Sequence, residues 1–158
     1  METAIYDILE EVEGPSYDAL LDFCGRHGRS CSLVVRQDDG ERESIVRFLQ
    51  TAQPHLLHVG SQSEWPGTRL SGHSAAVYRY RLSDDLVSLL KTRSRALFDW
   101  IAISSANREL PEDLAVYRAD GSVLLGSTAQ ECEAWFEFTA EEYRQAADLP
   151  FRLSKRGA

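Results

Sequence analysis

Three short β-prone runs, Leu114 to Arg118, Ser122 to Gly126 and Glu133 to Phe138, follow one another with only turn residues between them. Ala119-Asp120-Gly121 separates the first two, and Asp-Gly in a two-residue loop is a strong hairpin signal. The runs therefore read as a β-meander with an acidic rim, and Asp120 as a turn residue rather than a catalyst. Along the third run Ala134, Phe136 and Phe138 take one face and Glu133, Trp135 and Glu137 the other, which leaves Trp135 between two carboxylates. Thr139 and Glu142 then fit a capping box, with Phe138 and Tyr143 placed as a hydrophobic staple, so a helix opens at Ala140 and ends near Ala147.

Gly14-Pro15 is a break and Ser16 a helix cap, after which Tyr17, Leu20, Leu21 and Cys24 fall on one helical face and Gly28 stops it. Cys31 to Arg36 is a strand. Asp38-Asp39-Gly40 makes a turn before a second helix with the stripe Ile45, Phe48, Leu49 and Ala52, which Pro54 ends. His55 to Val59 is the next strand, and a parallel pair is open there. Thr3 to Glu13, with Ile5, Ile8 and Leu9, is expected to form another helix. Trp65-Pro66-Gly67-Thr68 is a turn, because proline presets φ at its second position and glycine accepts positive φ at its third. In the strand from Gly72 to Leu82, Tyr78, Tyr80 and Leu82 project to one side and Val77, Arg79 and Arg81 to the other, a basic and half-solvated face. Ser83 caps a helix opened by Asp84 and Asp85, with Leu86, Leu89 and Leu90 inward and Lys91, Arg93 and Arg95 at its end. Residues 97 to 109 are a helix end or loop that carries Phe98, Trp100 and Ile101 into the core. The expected fold is α+β: a single domain over residues 1–158, with about 1–13 and 150–158 peripheral. It holds a mainly antiparallel or mixed sheet of about five or six strands, three to five helices, and the C-terminal meander followed by a helix.

A chain of 158 residues is long enough to bury a core of its own. Its apolar runs are far shorter than the ~20 residues a membrane span requires, and Met1-Glu2 does not open a secretory signal, so a cytoplasmic protein is expected. Three cysteines, an odd count, read as thiols rather than a disulfide framework. Cys24, His27 and Cys31 loosely resemble a zinc ligand set that His55 and His58 would complete, but Cys24 lies on an apolar helix stripe, so core thiols and surface histidines are the better reading and no metal or other cofactor is expected. The net charge of −8 is unevenly spread. Residues 1–13 carry five acids and no base, residues 68–108 seven bases against three acids, and residues 109–148 ten acids against two bases. Such a chain repels nucleic acid at long range and favours a basic protein partner.

The Glu64-Trp-Pro-Gly-Thr-Arg-Leu turn, the Val77-Tyr-Arg-Tyr-Arg-Leu strand, and Leu110-Pro-Glu-Asp-Leu with its Tyr117-Arg-Ala-Asp-Gly hairpin resemble a small bacterial domain family of unknown function, over roughly residues 15–145. The Pro-Glu-Asp motif is also similar to one in small bacterial immunity-like proteins, which implies action by binding. The resemblance to the small bacterial domain family implies a His-Glu pair where this chain has Gln130-Glu131, a departure that weakens any catalytic role there.

Glu112, Asp113, Glu131 and Glu133 could converge as paired carboxylates for acid/base or metal-dependent hydrolysis, since two carboxylates in one site push one pKa up. Surface acids at strand ends are, however, ordinarily just solvated. His73 is the best lone base, yet Ser74, Ser104, Ser105 and Ser127 lack a nucleophile's strained turn, and Gly60, Gly67 and Gly72 make no phosphate fingerprint. The leading expectation is a non-catalytic intracellular binding module, immunity-like or inhibitory, that neutralises a basic protein. Its interface candidates are Trp65, Arg79, Arg81, Glu112, Asp113, Glu131, Glu133 and Trp135, because aromatic anchors within a polar rim concentrate binding energy. A small hydrolase using the four acids, or a homodimeric scaffold joined at a sheet edge, is the alternative.

Overall fold

The computed structural model describes residues 1–102 and 109–157; Ser104, Ser105 and Arg108 lie outside them. The chain runs β1 (Ala4–Ile8), α1 (Pro15–His27), β2 (Ser30–Val35), α2 (Glu43–Ala52), β3 (Leu56–Gln62), β4 (Glu64–Trp65), β5 (Thr68–Arg69), β6 (Ala75–Arg81), α3 (Asp84–Arg93), β7 (Glu112–Tyr117), β8 (Val123–Thr128), β9 (Glu133–Phe138), α4 (Ala140–Gln145) and β10 (Leu153–Lys155). Eight strands form one sheet in the order β10-β1-β9-β8-β7-β2-β6-β3, and β4-β5 is a separate hairpin. The sheet is larger than the five or six strands expected, and among the described residues every pairing is antiparallel, so the parallel pair left open for β2 and β3 does not form there.

The extra strands come from the chain ends. Residues expected as an N-terminal helix form β1, which pairs with β9 on one side and β10 on the other. An eleven-residue helix is marginal by itself, whereas a strand between two others satisfies its backbone on both edges. Tyr6 turns inward and stacks on Tyr143 at 4.3 Å between ring centroids, while Asp7 pairs with Arg156 on the other face. Ala4–Ile8 therefore lies within the sheet, between β9 and β10. A smaller correction falls at α1, where Gly14 rather than Ser16 is the cap residue and Pro15 takes the first helical position, whose N–H has no intrahelical acceptor in any case. The other caps follow the sequence: Ser83 Oγ accepts from the Leu86 amide, and Thr139 and Glu142 close a full capping box.

The main core lies between α1–α3 and one face of the sheet. Tyr17, Leu20, Leu21, Phe23 and Cys24 pack with Phe48, Leu86 and Leu90 against Leu33, Tyr80, Val116, Phe136 and Phe138. Trp100 is fully buried among them and donates its indole N–H to the Tyr17 hydroxyl at 2.9 Å, which in turn donates to the Leu90 carbonyl. The opposite face carries a second, smaller cluster of Val34, Trp65, Ala75 and Val77, which the β4-β5 hairpin covers. Among the described residues no helix is long and apolar enough to cross a membrane.

Candidate functional site

The hairpin that covers this second face is built by the Trp65-Pro66-Gly67-Thr68 turn. Trp65 pairs with Thr68, and Gly67 takes φ +83°, which the third position of such a turn demands. Its tip rests on β8 and β9: a Cβ on Gly67 would come within 2.6 Å of Thr128 Cγ2 and 2.7 Å of Trp135 Cη2. Trp135 also lies flat on Gly126, where a Cβ would meet the indole at 2.3 Å, so two glycines form the slot for this ring. Its Nε1 donates to Glu137 Oε2 at 3.2 Å. Trp135 is 8% exposed and Trp65 5% exposed, which makes both internal struts beneath or within the hairpin.

Under Trp65 sit two of the four acids expected on the rim. Glu112 and Asp113 are each only 3% exposed, a correction to their expected place on a solvated edge. Trp65 Nε1 donates to Asp113 Oδ2 at 2.9 Å, and the Ala129 amide donates to Oδ1 at 3.0 Å. To reach both donors Asp113 adopts φ +60°, a left-handed conformation that aspartate tolerates better than most residues. Arg36 Nε donates to Glu112 Oε1 at 2.8 Å, and the same guanidinium lies 5.4 Å over the Trp65 ring. Burial pushes both carboxyls above their usual range, opposed at Glu112 by Arg36 and at Asp113 by the Trp65 and Ala129 donors. Glu112 Oε2 is buried without a hydrogen-bond partner among the described residues.

Glu131 and Glu133, by contrast, are exposed, and neither bonds to Glu112 or Asp113 among the described residues. The four acids thus divide into an internal pair that ties down the hairpin and an external pair in solvent. Arg79 stacks on the Tyr117 ring at 3.6 Å and donates to Ser30 Oγ, so it is half-buried, while Arg81 is exposed. The Val77 end of the expected basic face lies beneath Trp65 rather than in solvent.

The thiols of Cys24 and Cys31 are buried and pushed up by desolvation, that of Cys31 to about 12, while Cys132 is exposed. His27 lies against Phe23 with ring centroids 4.3 Å apart and the rings tilted by 34°, and burial lowers its pKa. His55 bonds to Ser83. Among the described residues no three His, Cys, Asp or Glu side chains gather to hold a metal ion.

One surface escapes sequence reasoning. β3 closes the sheet on one side, so among the described residues its outer edge pairs with no other strand, and Leu57 and Val59 on it are 51% and 47% exposed. Beside it runs a groove of about 510 Å³, lined by Val59 and Ser61 of β3, Ala76 and Tyr78 of β6, Val35 of β2, and the loop after β2. A smaller groove of about 180 Å³ adjoins it and includes Asp38 and the exposed His73. The signal in the sequence was the absence of any Asp, Glu, Lys or Arg from Leu56 to Gln62, but only the strand order shows that this run lies at an edge.

Comparison with protein-family models, with curated proteins and with solved structures finds no match to this chain.

Proposed function

We propose that the chain is a non-catalytic protein-binding module that acts on a basic protein partner in an immunity-like or inhibitory manner. The observation that carries this reading is how its carboxylates are used. Glu112 and Asp113, the adjacent pair best suited to acid/base chemistry, are sealed beneath Trp65 and engaged with Arg36, Trp65 and Ala129. The exposed acids Asp38, Glu41, Glu131 and Glu133 form no ion pair among the described residues, and the whole chain carries a charge of −8. An excess of exposed, unmatched carboxylates speeds encounter with a positively charged protein and repels nucleic acid. A homodimeric scaffold is the second reading, favoured by the edge of β3, which no strand covers among the described residues.

The test is affinity capture from host lysate with the wild type, a Glu131→Gln/Glu133→Gln variant and an Asp38→Asn/Glu41→Gln variant, read by mass spectrometry. A basic protein held in stoichiometric amount by the wild type, and depleted by one of the two variants, is the expected outcome. No stoichiometric partner, or an acidic one indifferent to both variants, sinks the reading.

A further inference from the structure

We infer that β3 is a docking edge that receives an extended segment of the basic partner as a ninth strand, with Lys or Arg side chains of that segment lying over the adjoining groove. This rests on the binding-module reading and gives it a location and a mode.

A seven-residue edge strand presents a row of unpaired N–H and C=O groups, and proteins ordinarily guard such an edge with charge, proline or shortness. The opposite edge is guarded in this way, since β10 is three residues long and includes Lys155. β3 has neither proline nor an acidic, Lys or Arg side chain in its seven residues, Leu-Leu-His-Val-Gly-Ser-Gln, and its one edge defence is an irregularity near Leu57, which leaves Val59 to Gln62 regular. An added strand would make main-chain hydrogen bonds for affinity and leave its alternate side chains to set specificity.

The groove decides which side chains suit. Val59, Tyr78, Ala76 and Val35 give it an apolar floor on the helix-bearing side of the sheet. The loop that bounds it carries Asp38 and Glu41, both exposed and unpaired among the described residues, whereas its arginines are committed: Arg36 to Glu112, and Arg42 to Asp39 and Glu109. A long basic side chain fits both features, its methylene stem over the floor and its charge at the rim. On the other face of the sheet Arg79 and Arg81 disfavour further positive charge, so the outward positions of the guest strand should be uncharged. A second copy of this chain is a poorer guest, because it brings another net charge of −8.

The probe is an eight-residue peptide alternating Arg and Thr, titrated into the full isotope-labelled chain and followed by amide chemical shifts. Peptides alternating Glu and Thr, or Arg and Pro, serve as controls for charge and for strand formation. The expected result is shift changes concentrated at residues 56–62 and along the groove for the Arg-Thr peptide alone. Affinity should fall at least tenfold in Val59→Lys, and severalfold in Asp38→Asn/Glu41→Gln. Equal response to the Glu-Thr or Arg-Pro peptide, shifts elsewhere, or indifference to Val59→Lys overturns the proposal. Sedimentation equilibrium adds one more arm: a dimer abolished by Val59→Lys assigns the edge to a second copy instead. If captured partner survives Val59→Lys but is lost in Glu131→Gln/Glu133→Gln, the docking edge fails while the binding-module reading stands.

Discussion

Asp113 concentrates in one residue the cost of holding the hairpin. It bears a positive φ, gives up hydration, and in return orients Trp65 through one oxygen and the turn after β8 through the other. Because burial raises the Asp113 and Glu112 pKa values in the folded state, the stability tied to their protonated forms is present below the unfolded carboxylate pKa and is lost as pH rises through the folded values. Asp113→Asn keeps an oxygen acceptor for Trp65 without a charge to desolvate. As pH rises from the unfolded carboxylate range through the folded value, the difference in melting temperature should therefore shift progressively in favour of the variant. A shift toward the wild type would mean that the Trp65 and Ala129 donors outweigh burial. The presence of an acidic pair at 112 and 113 was legible in the sequence, but its burial was not, since the residues that cover it, Trp65 and Arg36, are 48 and 76 positions away from their bonded partners.

Elements whose signals are local came through faithfully. The capping box of α4, the Ser83 cap of α3 and the alternation of β9 each depend on residues within a few positions of one another. The hairpin between β7 and β8 also forms, although its loop is longer than the two residues expected: Gly121 N–H bonds to the Arg118 carbonyl and Gly121 takes φ +87°, a type I turn followed by a left-handed glycine. Arg118 then anchors the meander. It reaches the Val123 and Glu137 carbonyls and grips Glu142 with two nitrogens, in a pair whose side chains are 8% and 12% exposed. Burial alone would raise the Glu142 pKa, but Arg118 and the Thr139 amide hold it below the usual range. Arg118→Met strands that carboxylate and should cost about 3–5 kcal/mol in urea unfolding, and adding Glu142→Met should recover part of the loss. A loss under about 1 kcal/mol would mean that the pair is solvated in practice.

At the scale of the whole molecule the two ends of the chain meet. The Arg156 amide bonds to the Ile5 carbonyl, Leu9 to the Arg152 carbonyl, and Phe151 and Leu153 pack against the main core. Removing the chain beyond Leu149 should accordingly cost about 2 kcal/mol or more from the two half-buried side chains alone, read by urea unfolding. An unchanged midpoint would show that the ends contribute nothing to stability. The deletion also leaves β1 at the sheet edge.

The α+β class, the meander, the helices α1 to α4, the turns at Gly67 and Gly121 and the acidic balance were all written in local signals, because periodicity, caps and turn residues act over a few positions of chain. Tertiary structure alone decided that residues 4–8 become an inner strand, that Trp65 and Trp135 face inward, and that β3 lies at the edge. Those outcomes depend on which distant strand supplies a ladder or a cover, and main-chain hydrogen bonding is the same for every residue but proline, so the residues of a strand do not record which neighbour will satisfy it.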